Sequence, residues 1–416
     1  MTRHVRPDPP RARDPYGVGP LGAWLAPALS AVGLLLIAVV TFNLLNGDVP
    51  FGIGSGNGNG NGNGNGNGGP ARTAAPSNIV VVPPEAAFDG SIVYSKGGNI
   101  WIQTDDGAKQ VTDSGRASMP SWSADGQWVY YITTKREEGR WPVKGVVETY
   151  ALDVPTLTRI RSDGSGEPEA LKKGGIKKGR NVYAYWMRQP ILSPNGKTVA
   201  LITDAPDPDA RTPVLQFLDT GTAKITDPKL ATDGVLGHQD PDWRPDGKFL
   251  LYVRNARDGS RGAPVIMRYS VESKKARTLT SAGYLYPAYS PDGRYVAATR
   301  TSTFGTDVVI LDGSTGQELL RLTDDGASWA PTWSPAGDGI AYLHIQGQTV
   351  DLRLARLEGA APAWAVAEVT NLTEVSGLEP ASRPDWFIPA DQLPATPAPT
   401  TPPARSGTSS SPSVAP

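Results

Sequence analysis

Pro241-Asp242-Trp243-Arg244-Pro245-Asp246-Gly247 carries a pattern that returns along most of the chain. It reads Pro, any residue, a large apolar side chain, Ser or Arg, Pro, Asp or Asn, Gly, then a short β-rich run. Pro120-Ser121-Trp122-Ser123-Ala124-Asp125-Gly126 and Pro190-Ile191-Leu192-Ser193-Pro194-Asn195-Gly196 precede it. Pro287-Ala288-Tyr289-Ser290-Pro291-Asp292-Gly293 and Pro331-Thr332-Trp333-Ser334-Pro335-Ala336-Gly337 follow, and Pro384-Asp385-Trp386-Phe387-Ile388-Pro389 is a truncated last copy. The leading prolines step by 70, 51, 46, 44 and 53 residues. A period of roughly 40–50 residues with several strands in it is that of a propeller blade. The turn chemistry agrees: Pro presets φ, Asp bonds its own backbone, and Gly accepts positive φ.

In the unit led by Pro241, strands are expected at Pro241–Trp243, Phe249–Val253, Ile266–Ser270 and Ala276–Leu279. The second-strand signal recurs at Ile92-Val93-Tyr94, Val129-Tyr130-Tyr131, Thr198-Val199-Ala200, Tyr295-Val296-Ala297 and Ile340-Ala341-Tyr342. Asp89-Gly90-Ser91-Ile92-Val93-Tyr94 begins as if its inner strand had been removed, and Pro384-Asp385-Trp386 is an inner strand without a blade. Joining them closes the ring and removes its free edges. The expectation is an all-β, six-bladed propeller over residues 84–390, closed by pairing of N- and C-terminal segments. Trp122, Leu192, Trp243, Tyr289, Trp333 and Trp386 are expected as structural residues packed between blades.

Bulk composition excludes several functions. Net charge is −1, so no global field recruits nucleic acid. There is no cysteine, which removes disulfide scaffolds, thiolate metal sites and cysteine nucleophiles. Ahead of the repeats, residues 1–20 form a basic stub with Arg3, Arg6, Arg11 and Arg13. Ala23–Leu45 is uncharged, and its 23 residues reach about 34 Å as a helix, enough to cross a bilayer core. Trp24 and Phe42 sit near its ends. The arginine bias puts the N-terminus in the cytoplasm and the repeats outside, as a single-pass cell-membrane protein anchored at 21–46. The competing reading, a cleaved signal peptide, fits this length and exit sequence poorly. Residues 47–83 are expected as a Gly/Asn-rich flexible linker and 391–416 as a disordered Pro/Ser/Thr tail.

The repeats resemble the WD40-like PD40 repeat of the TolB propeller family, with Trp333-Ser334-Pro335 and Tyr289-Ser290-Pro291-Asp292-Gly293 the nearest matches. The resemblance covers about residues 84–390 and implies the propeller fold. It leaves function open, since such propellers occur in a partner-binding periplasmic protein, in serine peptidases and in polysaccharide lyases. Against the family pattern, the sequence is read as carrying a membrane anchor in place of the N-terminal α/β domain and no hydrolase domain after the propeller.

Catalysis finds little support. Outside the stub only His238 and His344 could serve as imidazole bases, and no Gly-x-Ser-x-Gly elbow is present. Two histidines at different repeat positions fall short of the metal site of the lyases. No cofactor or metal is expected, and the chain is read as a non-enzyme, although a carboxylate pair is not visible to sequence spacing.

A binding surface follows from blade geometry, because the interblade loops and the second-to-third-strand loops share one face. Arg116, Trp186, Arg188, Gln189, His238, Gln239, Asp240, Tyr284, Tyr286, Trp329 and Arg383 lie just before the repeat prolines and are expected around that mouth. Aromatic side chains with arginine suit a peptide or sugar ligand. The plainer reading is that Trp186, Tyr286 and Trp329 turn inward and plug the channel. The same face carries the long excursion Lys135–Pro155, expected as a loop. Lys172, Lys173, Lys177, Lys178 and Arg180 form a basic cluster that is either solvated or touches acidic wall polymer or lipid. Asp204–Asp209 is read as a rigid acidic loop. The expected partner is an envelope protein or peptide bound by a non-catalytic scaffold. The alternative is a protein that binds or degrades cell-wall carbohydrate.

Overall fold

A computed structural model describes residues 79–80, 88–143, 145–206, 208, 212–232, 236–255, 264–374 and 376–393. The expected stub, the apolar segment 21–46, most of the linker and the tail beyond residue 393 lie outside these residues. Among the described residues no helix is long and apolar enough to cross a membrane.

The strands form six antiparallel blades. Blade 1 runs from the C-terminal Asp385–Phe387 to Ser91–Lys96, Asn99–Thr104 and Gly107–Gln110. Blade 2 is Ala117–Trp122, Trp128–Val143, Val146–Arg161 and Glu169–Lys173. Blade 3 is Met187–Leu192, Thr198–Thr203, Val214–Asp219 and Ile225–Thr226. Blade 4 is His238–Trp243, Phe249–Arg254, Val265–Ser270 and Lys275–Thr278. Blade 5 is Tyr284–Tyr289, Tyr295–Ser302, Gly305–Asp312 and Glu318–Arg321. Blade 6 is Ser328–Trp333, Gly339–Gln346, Thr349–Glu358 and Ala365–Asn371.

The repeat proline has a mechanical reason. Each of the inner strands of blades 2 to 6 shifts register at its proline, as between Ser118↔Ile132 and Ser121↔Tyr130. Two residues there oppose one, a β-bulge, and a bulge is where a strand tolerates Pro because no ladder N–H is lost. The serine after the ring residue also has a task. Ser123 Oγ bonds Asp125 Oδ1 at 2.6 Å and accepts the Trp128 N–H at 2.9 Å, clamping the turn to the next strand. Ser193 with Asn195 and Ser290 with Asp292 repeat the clamp. In blade 6, where Ala336 replaces the acid, Ser334 Oγ bonds Asp338 instead, at 2.6 Å.

Blades adhere through apolar faces. Trp122, Leu192, Tyr289, Trp333 and Trp386 are buried and Trp243 is half-buried against the blade 3–4 cluster. Closure is by three register pairs, Ser91↔Phe387, Ile92↔Trp386 and Val93↔Asp385. Trp386 Nε1 donates to Asp89 O at 2.9 Å and its ring meets Phe88 edge-on at 5.7 Å.

Two segments differ from expectation. The excursion Lys135–Pro155 is no loop: the second and third strands of blade 2 pair without a break from Trp128↔Arg161 to Val143↔Val146. Valine, threonine and tyrosine along Val143–Tyr150 favour the strand, with Gly145 at φ 85° at the tip. A further hairpin, Gly175–Lys178 with Asn181–Ala184, joins it through Val182↔Arg140 and carries Lys177, Lys178 and Arg180. Within the stretch expected as linker, Ile79–Val80 runs parallel to Val369–Thr370 as an outermost strand of blade 6.

Candidate functional site

The site is the channel mouth, where the inner strands begin. Five pre-proline residues there have left-handed backbone, with φ of 56° at Met119, 50° at Gln189, 52° at Asp240, 47° at Tyr286 and 53° at Ala330. Such conformations cost on the order of 1–3 kcal/mol each for a non-glycine residue, so something must hold them. A ring of bonds between successive blades does. The Met119 N–H donates to Ser382 Oγ at 3.0 Å, and the Gln189 N–H points to Met119 Sδ at 3.3 Å. The Asp240 N–H donates to Gln189 Oε1 at 2.9 Å, and the Tyr286 N–H to Asp240 Oδ2 at 3.2 Å. The Ala330 N–H turns to Thr299 Oγ1 at 3.0 Å.

A second layer lies one turn deeper. Asp385 Oδ2 accepts the Trp122 N–H at 2.7 Å, and Asp242 Oδ2 accepts the Tyr289 N–H at 2.8 Å. Both acids occupy the repeat position that sequence reading treated as any residue. Burial pushes the Asp240 and Asp242 carboxyls up to about 6, against the opposing pull of Arg383, and moves Asp385 in the same direction.

Arg383 spans the channel. From the entry to blade 1 its guanidinium reaches Pro287 O of blade 5 at 2.7 Å and, in blade 4 opposite, Asp242 Oδ1 at 3.1 Å. It therefore closes the channel below the mouth rather than lining an open rim. Arg188 is half-buried nearby, close enough to Asp240 and Tyr286 for electrostatic coupling but beyond ion-pair distance. Its Nε is buried and bonded to nothing.

The expected ring of exposed side chains is only partly one. Trp186 is 41% exposed and Arg116 is exposed beside Asp153 at 3.7 Å. Gln189 is half-buried, while His238, Gln239, Asp240, Tyr284, Tyr286 and Trp329 are buried. The side-chain polar atoms of Tyr284, Trp329, His238 and Asp240 are used inside the propeller. Tyr284 bonds Glu318, and Trp329 Nε1 donates to Pro380 O at 2.9 Å. His238 Nδ1 accepts the Leu215 N–H and Nε2 faces Ala231 O at 2.9 Å, an arrangement for a neutral ring. Asp204, read as part of an acidic loop, is buried and accepts the Trp186 N–H at 2.7 Å, which fixes where that indole leaves the surface.

One cluster has the composition of a hydrolytic triad and not its wiring. Ser328 Oγ lies 3.1 Å from His344 Nδ1 and 3.0 Å from both Asp325 oxygens, while Asp325 Oδ2 is 3.2 Å from the same Nδ1. In a relay the acid holds one ring nitrogen and the serine the other. Here both share Nδ1, and Ser328 is wholly buried, so the set staples the start of blade 6.

Sequence reading missed the apolar projections on this face. Leu236 precedes blade 4, Phe304 tips the blade 5 hairpin, and Val146, Val147 and Tyr150 lie on the blade 2 extension. The visible signal was Phe304 between polar residues and glycine at a hairpin tip.

No protein-family model matches the chain. The Tol-Pal system protein TolB of Francisella tularensis subsp. tularensis is 26% identical over 230 residues, covering 54% of this chain and 45% of that protein. An uncharacterized protein of Agrobacterium fabrum is 29% identical over 117 residues, covering 27% of this chain and 37% of its own length. The chain thus spans less than half the length of these curated relatives. Among solved structures, a putative TolB from Agrobacterium tumefaciens matches with a TM-score of 0.50 and 18% identity, over 74% of this chain and 96% of that one. Blade count, closure and these likenesses agree: the described chain is a TolB-like six-bladed β-propeller.

Proposed function

We propose that this protein is a membrane-anchored, extracytoplasmic propeller that binds a protein or peptide partner at its channel mouth, as a non-catalytic scaffold of the cell envelope. The observation that carries the reading is an asymmetry of the two faces. Seven large apolar side chains are exposed among the described residues, and six of them, Val146, Val147, Tyr150, Trp186, Leu236 and Phe304, project on the mouth side. Phe304 is 92% exposed. Only Val271 lies on the opposite side, which is otherwise built from polar Asp-Gly turns. Rings and aliphatic groups held in water on one face favour association with another surface. The apolar run Ala23–Leu45 supports the anchor, and a relative named for the Tol-Pal system supports an envelope setting.

The test is cross-linking of the full chain in its native membranes, followed by mass-spectrometric identification. A Trp186→Ala/Phe304→Ser variant should recover the dominant envelope protein at least about tenfold less well, and Val271→Ser should recover it as the wild type does. Equal recovery by all three, or the absence of any enriched protein, refutes the reading.

A further inference from the structure

The mouth has spent almost all of its polar groups on itself. Gln189 uses its carbonyl for the Asp240 N–H and its amide for Asp240 Oδ1. Asp240 gives its other oxygen to the Tyr286 N–H. Asp242 divides its oxygens between the Tyr289 N–H and Arg383, and Asp385 takes the Trp122 and Trp386 N–H groups. Among the described residues, each carboxylate oxygen of Asp240, Asp242 and Asp385 already accepts a hydrogen bond. Arg188 is the opposite case. Among the described residues it is the one arginine, short of full exposure, that makes no hydrogen bond and no ion pair. Guanidinium groups are strong multiple donors, and a buried donor without an acceptor carries an uncompensated desolvation cost. Burial works against its charge, holding it below its ordinary value, with Asp240 and Tyr286 offsetting this only in part. It stands on the inner strand of blade 3 two residues from Trp186, whose indole is 41% exposed at the rim.

We infer that Arg188 is the anchor for a carboxylate carried by the partner, so that the mouth takes an acidic residue or a chain-terminal carboxylate flanked by apolar groups that rest on Trp186. The inference rests on the mouth being the binding face. The planar fork of the guanidinium matches a carboxylate bidentately, and the site lies where a ligand entering the channel is stopped by Arg383 beneath it. A cationic ligand would find the oxygens of Asp240, Asp242 and Asp385 already bonded and would meet two arginines.

Two measurements on the full chain decide it. In thermal unfolding with glutarate as probe, against chloride at equal ionic strength, the wild type should gain stability and Arg188→Gln should not. Arg188→Gln should itself unfold at the same or a higher temperature, since it removes a half-buried charge that has no partner; a fall in stability marks Arg188 as a structural residue and overturns the inference. Constrained peptides selected from a display library should share an Asp or Glu. Changing that acid to its amide should weaken binding about thirtyfold or more on the wild type and not further on Arg188→Gln. Peptides that need Trp186 but carry no common acid overturn the carboxylate anchor and leave the mouth standing. Peptides indifferent to both Trp186→Ala and Arg188→Gln overturn the mouth reading as well.

Discussion

Trp386→Ala should open the ring at one place. The indole is 7% exposed, packs edge-on against Phe88 at 5.7 Å, and donates to Asp89 O at 2.9 Å. Truncating a buried Trp costs about 3–5 kcal/mol through lost transfer energy and the cavity left behind. Leaving the Asp89 carbonyl without its donor adds on the order of 1 kcal/mol. Against a typical stability of about 5–15 kcal/mol the change is severe but survivable. Trp333→Ala is the matched control, since that ring is 5% exposed, lies in a blade whose four antiparallel strands follow one another along the chain, and has an Nε1 with no partner. Urea unfolding should therefore show a larger loss for Trp386→Ala than for Trp333→Ala, by about 1 kcal/mol. Hydrogen exchange should localise it: the Ser91–Lys96 amides, paired with Asp385–Phe387, should lose protection first. A loss under about 1 kcal/mol, or deprotection spread evenly over six blades, refutes the closure argument.

Gly90→Ala should weaken the same junction, because Gly90 has φ +82° and an added Cβ would lie 2.1 Å from Phe387 O. Gly97→Ala, at φ +58° with nothing within 4 Å, should cost only about 1 kcal/mol in the same urea titration, and equal losses would remove the steric reason. Asp240 and Asp242 titrate near 6 in the folded chain, above the ordinary carboxylate value, so the folded state binds protons more tightly than the unfolded one. Their contribution is present at low pH and is lost as pH rises through about 6; unfolding midpoints in urea should fall between pH 5 and pH 7.5, by at most about 1.4 kcal/mol per pH unit for each site. A midpoint that rises over that range contradicts burial as the dominant influence. Ser328 should not react with a fluorophosphonate probe, and labelling at that residue would restore a hydrolase reading.

The fold was legible because its signals are local and repeated. Pro-x-Trp-Ser-Pro-Asp-Gly encodes a bulge, an interblade ring, a clamped turn and the next strand, and each is fixed by residues within seven positions of one another. The closure could be read from two incomplete units, Asp89–Tyr94 and Pro384–Trp386. What escaped was length without punctuation. Lys135–Pro155 contains no turn cluster except near Gly145, so its absence of blade signals looked like a loop when the strands simply continue.

The site was legible in position and not in direction. Spacing from the repeat prolines put Arg188, Gln189, Asp240, Tyr286 and Arg383 at one end of the channel, and they do converge there. Which of them face a ligand depends on the left-handed backbone at the bulge, because that geometry sends each N–H to the neighbouring blade and obliges the neighbour's side chain to accept it. Gln189 and Asp240 are thereby consumed as interblade mortar, while Arg383 is held by Pro287 O and Asp242. With Asp240, Asp242 and Asp385 committed to neighbouring blades, the arginine of the mouth left without a partner among the described residues is Arg188, and the proposed specificity of the mouth rests on it.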